Sequence, residues 1–303
     1  MKFATFDGGK GPRAGVRLDD GRLLCLRTAA TRAGADPEAW SSVLAVIQGG
    51  EAALAAARDL VARAGEFPEA VVAADRVRLL APIPRPVRNP FCVGLNYVDH
   101  VAEGARVRLA ETKLPEVPTF FTKATNAVTG PDAEVRLDPK VTRRLDYEVE
   151  LAVVVGKAGR DIPAARAFEH VFGYTVANDV SARDLQRRHQ QWFKGKSLDT
   201  TLPLGPWIVT ADEIGDPTTL SLSLTVNGEP RQNATVAQMI FDIPTIIEHL
   251  SAGLTLEPGD VICTGTPSGV GYAMDPPRLL KDGDVMACTI DRIGTLTNVV
   301  REV

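Results

Sequence analysis

The sequence predicts a β-rich α+β fold, and three observations carry that prediction. Beyond residue 90, eight short runs read as strands, only a few stretches carry a helical period, and turn dipeptides separate strand from strand. A doubly wound parallel sheet would alternate strand and helix more regularly.

Taken in order, KFATF and AGVRL read as short strands joined at a Gly-rich turn, and RLLCL after Asp20-Gly21 reads as a third. Asp36-Pro37 supplies an N-cap and a first-turn residue for a helix over EAWSSVLAVIQ. After Gly49-Gly50 the Ala-rich EAALAAARDLVARAG continues as an amphipathic helix. The four prolines of APIPRPVRNP cannot sit inside a helix or a central strand, so residues 81–90 read as a stiff linker. The chain is thereby divided into a small N-terminal domain at 1–80, the linker at 81–90 and a larger domain at 91–303.

The strands of the larger domain are FCVGLNY, PTFFTK, DYEVELAVVVG, VFGYTVANDVS, GPWIVT, LSLSLTVNGEPRQ, DVICTGT and DVMACTIDRIGTLTNVV. Asn227-Gly228 is a strong two-residue hairpin signal. Pro258-Gly259-Asp260 and Asp282-Gly283-Asp284 supply further turns. Helices are expected over ARAFEHVF and IPTIIEHLSAG.

The 303 residues, 45% of them hydrophobic, suffice for a sizeable core. A net charge of -4 with dispersed basic residues argues against nucleic acid or an anionic membrane as partner. No apolar h-region develops at the N-terminus and no run approaches a membrane span, so a cytoplasmic location is expected. Cys25, Cys92, Cys263 and Cys288 never form a C-x-x-C pair and are expected as reduced thiols.

Counting removes several chemistries. Gly195-Lys196-Ser197 ends like a P-loop, but Gln190 stands where its first Gly belongs. Ser268 in GTPSGVG falls one residue late for a nucleophile elbow. Neither H-E-x-x-H nor a complete G-x-G-x-x-G is present.

Three acidic residues survive. Glu148 and Glu150 lie two apart at the mouth of the apolar run LAVVVG, where alternation puts them on one face with Asp146, and Asp179 ends another strand-like run. Paired carboxylates on a half-buried face repel each other unless a cation or a shared proton relieves them. Each alone also reads as a solvated strand end; together, as an all-oxygen set without His or thiolate, they suit a hard cation such as Mg²⁺, Mn²⁺ or Ca²⁺. His100 and Glu103, three apart, share one face of a short helical turn, where the carboxylate can orient the imidazole as a general base. A surface His beside a Glu is the competing reading. His170, His189 and His249 have weaker cases, in amphipathic or polar stretches.

The segments GLNYVDHVAE, LDYEVELAVVVG, NDVSARDLQ, FKGKSLDT, MIFDIPTIIEHLS and LEPGDVICTGTPSGVG, in this order within residues 88–300, resemble the fumarylacetoacetate hydrolase family. Residues 1–80 resemble the small extra domain of its longer bacterial members. The resemblance implies a mixed β-sheet roll or sandwich and a homodimer. It also implies Glu148, Glu150 and Asp179 as ligands of Mg²⁺ or Mn²⁺, with Ca²⁺ as an alternative. His100 and Glu103 match the catalytic dyad on a lid segment, and Lys196 a catalytic lysine. Lys194 is its rival, since alternation places both lysines on one face if FKGKS is extended. Arg183, Gln186, Thr266 and Lys123 match substrate-binding positions, while the distal part of the substrate is expected to meet residues 106–113 and the N-terminal domain.

The implied reaction is metal-dependent hydrolysis of the C–C bond of a 2,4-dioxo acid, of acylpyruvate or fumarylpyruvate type. The products are pyruvate and a carboxylic acid, with the metal as Lewis acid for the enolate. Oxaloacetate-type decarboxylases and the isomerases or tautomerases of aromatic-acid breakdown share the same triad, so kinship leaves them as alternatives. A metal-stabilised binding protein that has lost turnover is the non-enzymatic alternative, opposed by the presence of His100, Glu103 and Lys196.

Overall fold

The computed structural model describes residues 1–9, 11–108 and 113–303, with 107 and 108 described through their helical backbone alone. Its central strand is Val149–Val155, whose β-branched residues suit a packed, pleated surface. That strand pairs antiparallel with Val171–Asn178 on one side and with Val261–Cys263 on the other. A twelve-stranded mixed sheet extends from this centre. Beyond Val171–Asn178 come Leu202–Thr210, Lys2–Asp7, Pro12–Arg17, Leu23–Cys25 and Val71–Val72; beyond Val261–Cys263 come Phe91–Gly94 and Thr119–Thr122. Arg78–Leu80 and Val128–Thr129 attach off this path.

A second sheet of five strands follows the order Glu229–Thr235, Ser221–Val226, Val285–Ile290, Gly294–Glu302 and Glu134–Leu137. Asn227 (φ 52°) and Gly228 (φ 79°) close its first hairpin, as their dipeptide predicts.

The central strand is covered on both faces, as its run of apolar residues leads one to expect of a buried strand. Ala152 and Val154 enter a core with Leu26, Trp40, Val43 and Ile47 of the N-terminal helical layer. Leu151, Val153 and Val155 enter a second core with Leu222, Leu224, Met286 and Ile290, between the two sheets. Each fully buried Val or Leu stabilises the fold by about 1.5–3 kcal/mol, so both layers help to fix this strand. Asp146 does not continue it. That residue lies in a separate two-stranded ladder, Leu145–Asp146 against Ser181–Ala182, so alternation from Glu148 does not extend to it.

The helices differ in detail from the sequence reading. The stretch expected as one helix after Asp36 is a 3₁₀ turn, Pro37–Trp40, and a separate α-helix, Val43–Gln48. Ser42 splits them: its extended backbone (φ −155°, ψ 163°) makes it an N-cap whose hydroxyl accepts from the Ala45 N–H at 3.0 Å. The ARAFEHVF segment is a 3₁₀ helix, Ala164–His170. Ile243–Ser251 is the α-helix its pattern predicts, capped by Asp242.

Residues 1–80 carry their own helical layer, yet their strands join the common sheet. Lys2 and Phe3 pair with Val209 and Ile208, so backbone hydrogen bonding continues across the division set at 81–90. Among the described residues, no helix is long and apolar enough to cross a membrane.

Candidate metal centre and active-site cleft

Glu150 sits near the start of the central strand, Glu148 just before it, and Asp179 just after the neighbouring strand that ends at Asn178. The backbone holds this end closed: the Asp179 N–H donates to the Glu148 carbonyl at 2.8 Å, and the Glu148 N–H to the Asn178 side-chain oxygen at 3.0 Å. One oxygen from each of Glu148, Glu150 and Asp179 lies within 4.8 Å of the others, and all three residues are buried.

Two lysines balance part of this charge. Lys196 Nζ donates to Glu148 Oε2 and Asp179 Oδ2, both at 2.7 Å, and Lys123 Nζ donates to Asp179 Oδ1 at 2.6 Å and to the Val180 carbonyl at 2.9 Å. Arg183 Nη1 lies 2.6 Å from Glu148 Oε1. Burial opposes ionisation of Glu148, but Arg183 and then Lys196 outweigh it and hold this carboxyl at about 2. Burial likewise disfavours the charged Lys196, yet Asp179 and Glu148 keep its pKa above the usual lysine range. Glu150 is different. Burial, reinforced by the nearby Asp179 and Glu148, pushes its carboxyl well above the ordinary range; its hydrogen bond is from the Gly265 N–H at 2.8 Å. Three converging hard-oxygen donors, one of them short of positive charge, fit a divalent cation.

A cleft opens over this centre, and its lining includes His100, Phe121, Glu148, Glu150, Arg183, Gln186, Arg187, Trp192, Lys196, Thr266 and Tyr272. His100 and Glu103 lie on the helix Val98–Arg108, longer than the single turn expected. His100 Nδ1 is 2.8 Å from Glu103 Oε1, while Glu103 Oε2 accepts from the Gly269 N–H at 2.9 Å. Glu103 therefore fastens this helix to the 264–271 loop and leaves His100 its other ring nitrogen, Nε2, for a substrate.

The predicted residues fall into two groups. His100, Arg183, Gln186, Lys196 and Thr266 line the cleft, whereas Lys123 does not and instead anchors Asp179. Lys194 and Lys196 do not share a face, because Phe193–Lys196 is a helical turn rather than an extended segment: Lys196 is buried and Lys194 exposed. Gly195 permits this placement, since a Cβ there would lie 2.4 Å from the Gln186 backbone nitrogen. Asp146 holds Arg183 instead of joining the triad: it accepts from Arg183 Nε at 2.9 Å and from the Gly271 and Tyr272 N–H groups. Arg183 Nη2 is buried without a hydrogen-bond partner among the described residues. No described residue of 1–80 lines the cleft, and within the 106–113 segment, 109–112 lie outside the described residues.

Two supporting residues escaped the sequence reading. Gln232, on the edge strand of the second sheet, accepts from the Val149 N–H at 2.9 Å and donates to Thr266 Oγ1 and the Pro267 carbonyl, both at 2.8 Å. It thus ties the backbone between the two glutamates to the Thr266 loop. Asn96 is fully buried and bonds Phe241 and Thr264 through both ends of its amide, beside Leu95 at φ 58° on the cleft wall. A lone Gln in NGEPRQNAT gives no hint of this in the sequence. Gln232→Leu leaves the Val149 N–H buried and unpaired, so it is expected to lower unfolding free energy by about 1–3 kcal/mol; urea denaturation checks this, and a loss below about half a kcal/mol would deny the strap its role.

A buried three-carboxylate centre that could hold a metal ion, under a histidine–glutamate pair at one end of a mixed sheet, is the arrangement of an enzyme site. The chain belongs to the fumarylacetoacetate hydrolase family: residues 89–301 match the model described as fumarylacetoacetate (FAA) hydrolase C-terminal. It is 44% identical over 99% of its length to all of the oxaloacetate tautomerase YisK of Bacillus subtilis. It is 43% identical to the human mitochondrial oxaloacetate tautomerase FAHD2A, over 88% of this chain and 81% of that protein. A fumarylacetoacetate hydrolase structure from psychrophilic Exiguobacterium antarcticum superposes with a TM-score of 0.82, at 39% identity and full coverage of both chains.

Proposed function

We propose that the protein is a divalent-metal-dependent tautomerase that converts the enol form of oxaloacetate, or a closely related 2-oxo dicarboxylate, to its keto form. The observation that carries this reading is the end-to-end similarity to the Bacillus tautomerase, joined to a complete histidine–glutamate pair in the cleft. It displaces C–C hydrolysis, the leading expectation from sequence.

Glu148, Glu150 and Asp179 would hold Mg²⁺ or Mn²⁺, whose Lewis acidity lowers the free energy of an enolate. The chain's own groups then handle substrate and proton. Arg183, which lines the cleft and whose buried Nη2 has no hydrogen-bond partner among the described residues, receives the 1-carboxylate, with Gln186 beside it at 3.2 Å from Nη1. Lys196 and Thr266 face the 2-oxygen and stabilise negative charge developing there. The enol oxygen releases its proton to solvent, protonated His100 gives one from Nε2 to C3, and His100 is reprotonated by water. Glu103 keeps the imidazole oriented and stabilises its cationic form.

Hydrolysis of an acylpyruvate remains the second reading, because the same His100 can activate a water and a solved hydrolase shares this fold. The deciding experiment follows enol-oxaloacetate by its ultraviolet absorbance with Mg²⁺, and measures pyruvate from acetylpyruvate and from oxaloacetate in parallel. Chelator-sensitive loss of the enol without pyruvate is expected. Pyruvate from acetylpyruvate with no faster ketonisation would replace the tautomerase by a hydrolase; pyruvate from oxaloacetate would make it a decarboxylase.

A further inference from the structure

Among the described residues, three Arg or Lys side chains line the cleft: Arg183, Arg187 and Lys196. Two are committed within the protein. Arg183 engages Asp146 and Glu148, and Lys196 engages Glu148 and Asp179. Arg187 is exposed on the cleft wall and makes no ion pair or side-chain hydrogen bond among the described residues. An uncompensated guanidinium on the wall of a substrate cleft is a carboxylate receptor by its chemistry, since its planar donor fork matches a carboxylate edge.

The helix Arg183–Arg188 fixes where this receptor stands. Arg183 and Arg187 are four residues apart, so they share one face and are offset by about one helical turn, 5.4 Å of rise. Arg183 is tethered at the inner end by Asp146 and Glu148, and Arg187 lies a turn farther along. Between them and the aromatic wall, little gives way. Trp192 stacks edge-on against Phe121 at 5.2 Å, and passes so close to Gly94 that a Cβ there would come within 2.3 Å of its ring. A substrate whose 1-carboxylate reaches Arg183 can therefore direct its other end along this wall toward Arg187, the cationic lining residue left without an ion pair among the described residues.

We propose that Arg187 is the specificity-determining residue for the distal carboxylate, and that it makes the site selective for dicarboxylic over monocarboxylic 2-oxo acids. This deepens the tautomerase reading and rests on the substrate orientation given there. It assigns to the 183–188 helix the recognition expected at the sequence level from residues 106–113 and the N-terminal domain. Tyr272 stacks on Arg183 at 4.4 Å and Phe121 lies 5.1 Å from Lys196, so among the described lining residues the charge of Arg187 is what distinguishes a distal carboxylate from a methyl group.

The test is calorimetric binding of oxaloacetate and of pyruvate to the Mg²⁺-loaded protein, for wild type, Arg187→Met and Arg187→Lys. Pyruvate keeps the carboxylate and 2-oxo end and lacks the distal carboxylate. Wild type is expected to prefer oxaloacetate at least tenfold; Arg187→Met should lose that preference while its pyruvate affinity stays within about twofold, and Arg187→Lys should recover part of it. Equal loss for both ligands, or an unchanged preference in Arg187→Met, would overturn the proposal. Because binding is read without turnover, failure of the tautomerase reading registers separately, as a wild-type protein that binds oxaloacetate but does not accelerate loss of the enol.

Discussion

Replacing His100 with Ala is expected to lower kcat for enol-oxaloacetate by roughly 10²–10⁴-fold, the usual range for a lost general acid–base group, with Mg²⁺ affinity unchanged within about twofold. The split follows from the geometry. His100 lies over the cleft and its Nδ1 is bound to Glu103, whereas the three clustered carboxylates come from the sheet and its ends. Removing the imidazole leaves those carboxylates, Lys123 and Lys196 in place. Glu103 keeps its bond from the Gly269 N–H, so the helix remains fastened to its loop. Stopped-flow ketonisation together with calorimetric Mg²⁺ titration decides the matter. If cation affinity fell with kcat, His100 would belong to the metal centre; if neither changed, the proton would have to come from elsewhere.

Glu150→Gln is expected to reverse the order of thermal stability between metal-free and metal-loaded protein. In chelator the variant should melt at or above wild type, because the carboxyl it replaces is buried and repelled by Asp179 and Glu148. The sign agrees with the direction of the Glu150 shift: a carboxyl raised above its usual range costs stability as pH climbs through its folded pKa, and an amide has no such cost. With Mg²⁺ at a hundred times its dissociation constant, wild type gains about 2.7 kcal/mol by mass action, worth roughly 5 °C or more in a domain of moderate size. The variant, short of one donor, should gain little, and its turnover should fall by about 100-fold or more. Scanning calorimetry with and without the cation reads both halves. A variant stabilised by Mg²⁺ as strongly as wild type would remove Glu150 from the ligand set.

The parts of this molecule visible in its sequence are those encoded locally. VELAVVV, the Asn227-Gly228 turn and the capped IPTIIEHLS each settle their own conformation within a few residues, and Glu148, Glu150 and Asp179 are marked out as acids where apolar strands begin or end. Errors arose where a local pattern was extended one step too far. Alternation from Glu148 fails at Asp146 because the chain leaves the strand; the shared face of Lys194 and Lys196 was conditional on an extended segment, and a helical turn stands there instead. Gln232 was invisible for a different reason. Its role depends on a second sheet bringing an edge strand against Val149, and no residue near it in the chain records that approach. The prolines of 81–90 suggest a division there, but prolines say nothing of the pairing of Lys2 with Val209.

That pairing has a consequence for how the protein can be divided. The family match begins at residue 89, inside one half of a sheet whose strand Leu202–Thr210 uses Lys2 and Phe3 as neighbours. A fragment starting at 89 would strip that strand of an antiparallel partner, uncover Ile208, and take Phe3 away from the ring of Phe172 at 5.5 Å. Unpaired N–H and C=O groups beside an apolar face are a template for further strands, so the fragment should self-associate through this open edge. Any ancestor consisting of the matched region alone would have needed another way to close it.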